Sequence, residues 1–375
     1  MVAVRIFGLS IIVSVLSLLA ALLYGGWKGL AVCAILGVLE VSLSFDNAVI
    51  NAGVLQRMSE FWQRLFLTVG VLIAVFGMRL VFPLAIVWIT AGLNPQRALH
   101  LALNPPDDGG LLFPDGSSSY EKLLTDAHPQ IAAFGGAFLL LLFLNFILED
   151  REITWLSWIE RPLARLGKLE MLSVVLTLAA VAVTAQAIAD DDDVATVLLA
   201  GVLGVITYIT VDGLGSMFNA EQQAEGQATA GPSGVVQAVG KAAFFLFIYL
   251  EVLDASFSFD GVIGAFAITS DPILIALGLG LIGAMFVRSI TVYLVRKGTL
   301  SEYVYLEHGA HWAIGALAVI LLASIGIHIN EVITGLIGVA FIGAAFLTSI
   351  VRNRRDGAAG DSDAEDHAPH TAVIG

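Results

Sequence analysis

Long apolar runs dominate the chain, and their lengths predict its elements. Each run of about 20 residues is long enough to cross a bilayer as a helix. They predict ten transmembrane helices, near residues 6–24, 29–56, 65–91, 131–148, 171–189, 194–214, 240–268, 273–295, 311–328 and 331–351. The first run could instead be a cleaved signal peptide, but it lacks a clear small-residue cleavage site. We therefore expect an all-α, polytopic membrane protein.

Composition agrees with this class. Hydrophobic residues make up 58% of the chain and charged residues 13%, whereas soluble domains contain about 25% charged residues. The net charge of -14 argues against a nucleic-acid partner. Membrane lipid is the expected surrounding, and a homo-oligomer is compatible with the pattern. The single cysteine, Cys33, can form no intrachain disulfide.

Basic residues predict the orientation, because lysine and arginine concentrate in cytoplasmic loops. With the N-terminus inside, most of them fall in inner loops. The inner set includes Arg57, Arg64, Arg151, Arg161, Arg165, Lys168 and Lys241, against Lys28, Arg97 and Lys122 outside. We expect a multi-pass protein of the plasma membrane with both termini in the cytoplasm. The amphipathic stretch Ile153 to Leu169 is expected to lie along the inner interface.

One motif occurs twice within predicted spans. Both copies read acid-x-Ser-x-Ser-Phe-Asp, from Glu40 to Asp46 and from Asp254 to Asp260. A charged side chain in the middle of a span costs about 2.5 to 3.5 kcal/mol even on lenient insertion scales, so such residues usually have a function. The predicted topology makes the two copies antiparallel, and we expect them to meet at the bilayer midplane.

The surroundings of the motif extend the repeat. In each half the next span contains a lone arginine, Arg79 and Arg288. Each arginine either serves the site or neutralises a structural carboxylate. Spans 2 to 4 and 7 to 9 thus form an inverted three-plus-three repeat, which is typical of secondary transporters. The predicted units are an N-terminal helix at 1–28, a first repeat at 29–150, a linking region at 151–234, a second repeat at 235–330, a last helix at 331–355 and a disordered tail at 356–375.

Helical geometry limits how the polar residues can meet. At 100° per residue, Glu40, Ser44, Asn47 and Asn51 share one face, and Asp46 lies about 120° away. Either this span is buried on two sides, or its helix breaks near Ser44 to Asn47. Gly261 and Gly264 would make a break easy in the second copy. Several supporting residues complete the candidate set, namely Ser258, Glu251 one turn before Asp254, and Asp212 near an inner span end.

The side chains near the motifs offer oxygen ligands, without cysteine or histidine. Carboxylate, amide and hydroxyl oxygens suit hard divalent ions such as manganese(II), magnesium or calcium. The cation would be the transported substrate, and no resident cofactor is expected. When it leaves, the crowded carboxylates would favour taking up a proton, which gives a route to antiport. Asp212 either is solvated at the span boundary or takes part in cytoplasmic ion entry.

At the repeated motif the sequence resembles the TerC family of integral membrane proteins, within the lysine-exporter superfamily. Glu40 followed by Asp46-Asn47 is similar to the first signature of that family, and Asp254 with Asp260 to the second. In this chain the second signature reads Asp260-Gly-Val-Ile-Gly264, without the Ser and Pro of the family. The resemblance implies manganese export, metal homeostasis or tellurium resistance, with Glu40, Asp46, Asn47, Asp254 and Asp260 as the ion site.

Three other functions remain open. An exporter of an organic cation or amino acid would share the fold and need a larger pocket, with the arginines binding a substrate carboxylate. An intramembrane aspartyl hydrolase could use two aspartates to activate water, but Asp212-Gly-Leu-Gly lacks the Gly-x-Gly-Asp order of such proteases, so we do not expect an enzyme. A membrane scaffold in metal or tellurium stress response is the third.

Overall fold

The structure is a computed structural model. It describes residues 2–70, 91–106, 110–224, 229–230, 236–266, 271–297, 303–329 and 331–366, with isolated positions at 72, 73, 77, 81, 84, 85, 87, 88, 268 and 269. Arg79 lies outside the described residues, and so do the side chains of Asp46, Ser258 and Asp260. Predictions that concern these four groups therefore stay predictions.

Nearly all of the described chain is helical. In chain order the α-helices are α1 (Val2–Leu43), α2 (Phe45–Gln56), α3 (Glu60–Leu65), α4 (Pro95–Leu103), α5 (Tyr120–Asp126), α6 (His128–Leu148), α7 (Ser157–Leu166), α8 (Leu172–Ala187), α9 (Val194–Ala224), α10 (Gly240–Phe266), α11 (Pro272–Ile275), α12 (Ala284–Lys297), α13 (Leu306–Ser324) and α14 (Glu331–Asp366). Two π-helical segments continue α3 and α11, π1 (Phe66–Gly70) and π2 (Ala276–Gly283). A short antiparallel pair, β1 (Thr229–Ala230) and β2 (Val236–Gln237), precedes α10.

Apolar helices make the chain a multi-pass membrane protein. Among the described residues, six stretches are long and apolar enough to cross a bilayer: Ile6–Val41, His128–Leu148, Val194–Phe218, Ile273–Val295, Leu306–Ser324 and Ile333–Arg355. The first joins two predicted spans into α1, which is kinked at Gly26, where φ is 61°. A positive φ is tolerated there because glycine has no Cβ. The count of ten spans and the inverted repeat remain predictions.

Local sequence explains the short helices between residues 91 and 127. The Asn94 side chain accepts a hydrogen bond from the Arg97 amide at 2.7 Å, and Pro95 occupies the first turn of α4. In the same way the Ser119 hydroxyl accepts from the Lys122 amide at 3.2 Å and begins α5. Both are standard N-caps, which satisfy amides that a helix start leaves unpaired.

The centre of the bundle is α6, which packs against α8, α9, α10 and α13. Phe138 is fully buried in it. A Cβ placed on Gly204 of α9 would lie only 2.3 Å from the carbonyl oxygen of Phe134, so the backbones of α6 and α9 touch. Small residues at helix contacts are typical of membrane bundles, where close packing replaces the hydrophobic effect.

A second group of helices forms around π2. Helix α1 packs on π2 and α12, while α2 contacts α12, α13 and α10. Helix α2, which begins inside the first motif copy, thus lies next to α10, which contains the second copy. This arrangement brings polar residues far apart in sequence into one buried region.

Candidate cation site

The first motif copy contains a helix break at Ser44. Helix α1 ends at Leu43 and α2 begins at Phe45, and between them Ser44 adopts a non-helical conformation with φ -100° and ψ 14°. The Ser44 hydroxyl donates to Oε1 of Glu40 at 2.7 Å. Of the two alternatives for this span, the structure therefore has the helix break, at Ser44, and the Ser44 hydroxyl positions the Glu40 carboxylate.

Glu40 lies where three elements meet. It is 1% exposed, and it packs against glycines of α10 and π2. A Cβ on Gly261 would lie 2.9 Å from Oε2 of Glu40, and one on Gly283 would lie 2.0 Å from its Cγ. In the second copy, the break that Gly261 and Gly264 would make easy does not occur, because α10 continues through both to Phe266. Gly261 instead provides space for the carboxylate of Glu40.

A hydrogen bond joins the residue that follows the first motif copy to the first residue of the second. The Asn47 amide nitrogen, in α2, donates to Oδ1 of Asp254, in α10, at 2.5 Å. Asn47 is 1% exposed and Asp254 is 5% exposed. A neutral amide donor thus fixes the direction of the Asp254 side chain.

Glu251 and Asn51 lie beside this contact. Glu251 is 6% exposed, and neither of its carboxylate oxygens has a hydrogen-bond partner in the described part of the chain. Together with Asp254 they line a cavity of about 20 Å³, to which Gly70 and Thr291 also contribute. A volume of this size holds about one water molecule or one bare ion. Glu251 and Asp254 thus both line the same cavity.

Arg288 supplies a positive charge at the same cavity. Its Nε donates to the carbonyl oxygen of Leu67, in π1, at 2.7 Å, and the residue lines the cavity with Glu251 and Asp254. A π-helix shifts the hydrogen-bond register of a helix and is frequent at functional sites. The predicted arginine of the second repeat is therefore placed beside the acids.

We call Glu40, Asn47, Asn51, Glu251 and Asp254 the acidic site. Among the described side chains, no group of three or more acids, histidines or cysteines is close enough to hold a metal ion by itself. The oxygens of Asn47 and Asn51 would complete such a set, and the side chains of Asp46 and Asp260 lie outside the description. Hard cations accept amide carbonyl oxygens as ligands alongside carboxylates.

Asp212 lies in a different cavity. This vestibule has a volume of about 250 Å³ and is lined by residues that include Arg57, Asn145, Tyr208, Asp212, Tyr249 and His311. The Asn145 amide donates to the Tyr208 hydroxyl at 3.1 Å across its wall. Asp212 therefore lines a cavity separate from the one at Glu251 and Asp254, and its two interpretations, solvation at the span boundary and cytoplasmic ion entry, both stay open.

Sequence reasoning missed a buried carboxylate in α7. Glu160 is 4% exposed, and it accepts hydrogen bonds from the Trp155 amide at 3.0 Å and the Trp312 indole at 3.1 Å. Nδ1 of His308 lies 3.2 Å from its Oε2. Glu160 could have been identified from the sequence, because it is an acid that lies away from the basic residues of the amphipathic stretch Ile153 to Leu169. Glu160 connects α7 to α13.

The ionisation of Glu160 predicts how α7 responds to acid. Burial alone raises the pKa of Glu160, but hydrogen bonds from His308, Trp312 and the Leu156 amide outweigh it and lower the pKa from 4.5 to about 2. The pKa of Glu160 is lower in the docked helix than in the unfolded chain, so its ionised carboxylate stabilises docking. This stabilisation is fully present above pH 4.5 and is lost as the pH falls toward 2. We expect amide exchange in α7, corrected for its intrinsic pH dependence, to stay slow down to about pH 4.5 and to accelerate below it.

The Glu160→Gln variant should remove this dependence. It loses charge-assisted hydrogen bonds of about 1.5 to 3 kcal/mol each, so α7 should exchange faster at neutral pH and respond little to acid. Glu170→Gln changes an exposed acid just after α7 and serves as the control. If both variants exchange like the unaltered protein, Glu160 does not hold α7 in place.

Comparison with known protein families gives a match over most of the chain. A family model described as "Protein of unknown function (DUF475)" matches residues 45–356. The match covers α2 to most of α14 and begins just after Glu40. No curated protein and no solved structure matches the chain.

Proposed function

Since this chain belongs to the DUF475 family, for which no activity is described, we propose a function from the site itself. The protein is a secondary transporter that exports a divalent metal cation, with manganese(II) as the first candidate, through the acidic site. It exchanges the cation for protons across the plasma membrane, and both termini lie in the cytoplasm.

The observation that supports this proposal most is the hydrogen bond between Asn47 and Asp254, with Glu251 beside it. Two acids and two amides line one region inside an apolar bundle, and Glu40 is buried nearby against α10. Arg288 supplies one positive charge beside Glu251 and Asp254, and burying the remaining carboxylates in a membrane is costly unless a cation or a proton offsets them. A transported cation would do so during each cycle.

The small cavity favours an ion over an organic substrate. An exporter of an amino acid or organic cation needs a pocket that encloses its whole substrate, and such pockets are about 300 Å³ or larger. The cavity at Glu251 and Asp254 measures about 20 Å³. The larger vestibule contains Asp212 and provides an aqueous approach from the Arg57 end of the bundle. Manganese is preferred among hard cations because of the resemblance to TerC proteins.

A reciprocal contact supports the inverted repeat. Glu40, in the first half, packs against Gly283 at the end of π2, and Glu251, in the second half, packs against Gly70 at the end of π1. In both cases an acid of one half faces a π-helical glycine of the other. This pairing relates Glu40 to Glu251, three residues before the Asp254 that the motif alignment selects. We propose the ten-span, three-plus-three topology on this basis.

Reconstituted protein tests the proposal. Full-length protein in liposomes should carry Mn²⁺ across the membrane, with protons moving in the opposite direction, as read by a metal indicator and a pH dye. Mg²⁺ and Ca²⁺ are offered as competitors, and lysine as an organic cation. Lysine flux without metal flux would support the organic-cation exporter instead. Folded protein that moves neither substrate would overturn transport and favour a scaffold.

A further inference from the structure

Helix α7 lies between two apolar helices in the chain. Helix α6 ends at Leu148 and α8 begins at Leu172, and both are apolar. Only short connections separate them from α7, which spans Ser157–Leu166. A helix joined so closely to two apolar helices cannot move far from the interface.

The buried side of α7 is fixed to the bundle. Glu160 accepts hydrogen bonds from Trp312 of α13 and from the amides of Trp155 and Leu156 at the start of α7. The Trp155 indole also donates to the Thr348 hydroxyl of α14 at 3.0 Å. These contacts determine which face of α7 points away from the protein.

The opposite face combines an aromatic, an apolar and a basic part. Trp158 is 77% exposed and Leu166 is 54% exposed. At 100° per residue, Arg161 and Arg165 lie on one side of Trp158, and Pro162 and Leu166 on the other. Both arginines are exposed, and neither has an ion pair in the described part of the chain.

We propose that this face of α7 binds the headgroups of anionic phospholipids. Trp158 and Leu166 would enter the boundary between headgroups and acyl chains, where tryptophan is enriched. Arg161 and Arg165 would bind phosphate through their planar, multiply donating guanidinium groups.

Charge favours a lipid over a protein as the partner. The whole chain has a net charge of -14, but Arg161 and Arg165 form an exposed basic pair on α7. Such a pair is complementary to an anionic membrane surface. Such surfaces attract basic residues by about 1 kcal/mol each, which is about fivefold in affinity. The predicted orientation places α7 at the cytoplasmic leaflet, where anionic lipids concentrate.

The test compares full-length protein in nanodiscs of phosphatidylcholine alone and of phosphatidylcholine mixed with phosphatidylglycerol. Amide exchange over residues 157–166 should slow several-fold when phosphatidylglycerol is present, and high salt should reverse the effect. The double variant Arg161→Gln, Arg165→Gln should exchange in both lipids as the unaltered protein does in phosphatidylcholine.

A matched control changes the same amount of charge elsewhere. Arg354 and Arg355 are also exposed, near the end of the last apolar stretch of α14. The double variant Arg354→Gln, Arg355→Gln should retain the slowing by phosphatidylglycerol. Equal exchange in both lipids overturns the proposal. It is also overturned if the α7 variant keeps the slowing, or if the α14 variant loses it as the α7 variant does. None of these outcomes depends on which substrate is transported.

Discussion

Replacing Asp254 by asparagine should abolish cation export and leave the protein folded in the membrane. The substitution keeps the shape of the side chain, and its amide oxygen can still accept the hydrogen bond that Asn47 now donates to Oδ1 at 2.5 Å. What it removes is the negative charge at the cavity. Even the outer partners of metal ligands cost 10- to 100-fold when changed, so we expect a loss of about 100-fold or more in apparent affinity for Mn²⁺.

The measurement is Mn²⁺ efflux from cells and from proteoliposomes. Cells that express the unaltered protein should contain less manganese than cells that express Asp254→Asn, at equal amounts of protein in the membrane. Asp115→Asn is the matched control, because Asp115 lies in the exposed turn before α5 and hydrogen-bonds only locally, to Ser117. It should export like the unaltered protein.

A second variant separates charge from ligand geometry. Glu251→Gln also removes a carboxyl group from the 20 Å³ cavity, but Glu251 makes no hydrogen bond that would fix its direction within the described residues. We expect a smaller effect on Mn²⁺ affinity than that of Asp254→Asn and a changed dependence of transport on pH. Export by Asp254→Asn at the unaltered rate would exclude Asp254 as a ligand, whatever Glu251→Gln does.

The sequence predicted the parts of the site that depend on residue type. Four acids in apolar runs, two in each motif copy, indicated a buried polar site, and the structure brings Asn47 to Asp254 across 207 residues of sequence. A helix break near Ser44 was one of the two arrangements that the sequence allowed. These features follow from the cost of burying charge and from helical geometry, both of which are local properties of the chain.

Other features depend on contacts between distant segments, which the sequence alone does not reveal. Gly261 was interpreted as a breaking residue, but it provides space for Glu40 inside a continuous helix. The segments π1 and π2 lie in runs of mostly apolar residues. No spacing of polar and apolar positions therefore marks their π-helical hydrogen bonds in the sequence. Glu160 was missed because its partners His308 and Trp312 lie about 150 residues further along the chain.

Gly283→Ala should destabilise the protein more than any other single methyl group added near the acidic site. A Cβ at this position would lie 2.0 Å from Cγ and 2.7 Å from Cβ of Glu40, and neither atom is the free end of a flexible side chain. Overpacking of a tight contact costs about 1 to 3 kcal/mol, and we expect the upper end or more. Gly343→Ala, on α14, meets nothing within 4 Å and should leave the thermal midpoint nearly unchanged.

A double variant that moves the larger side chain from position 40 to position 283 distinguishes a steric effect from a general loss of folding. The double variant Glu40→Gly, Gly283→Ala removes the whole side chain that the new methyl group would overlap. Its thermal midpoint should recover most of the loss, less the roughly 1 kcal/mol that a glycine costs inside a helix. It should still fail to export Mn²⁺, because the carboxylate is gone. If Gly283→Ala is as stable as Gly343→Ala, then Glu40 does not pack on π2, and the reciprocal contact that relates the two halves is lost with it.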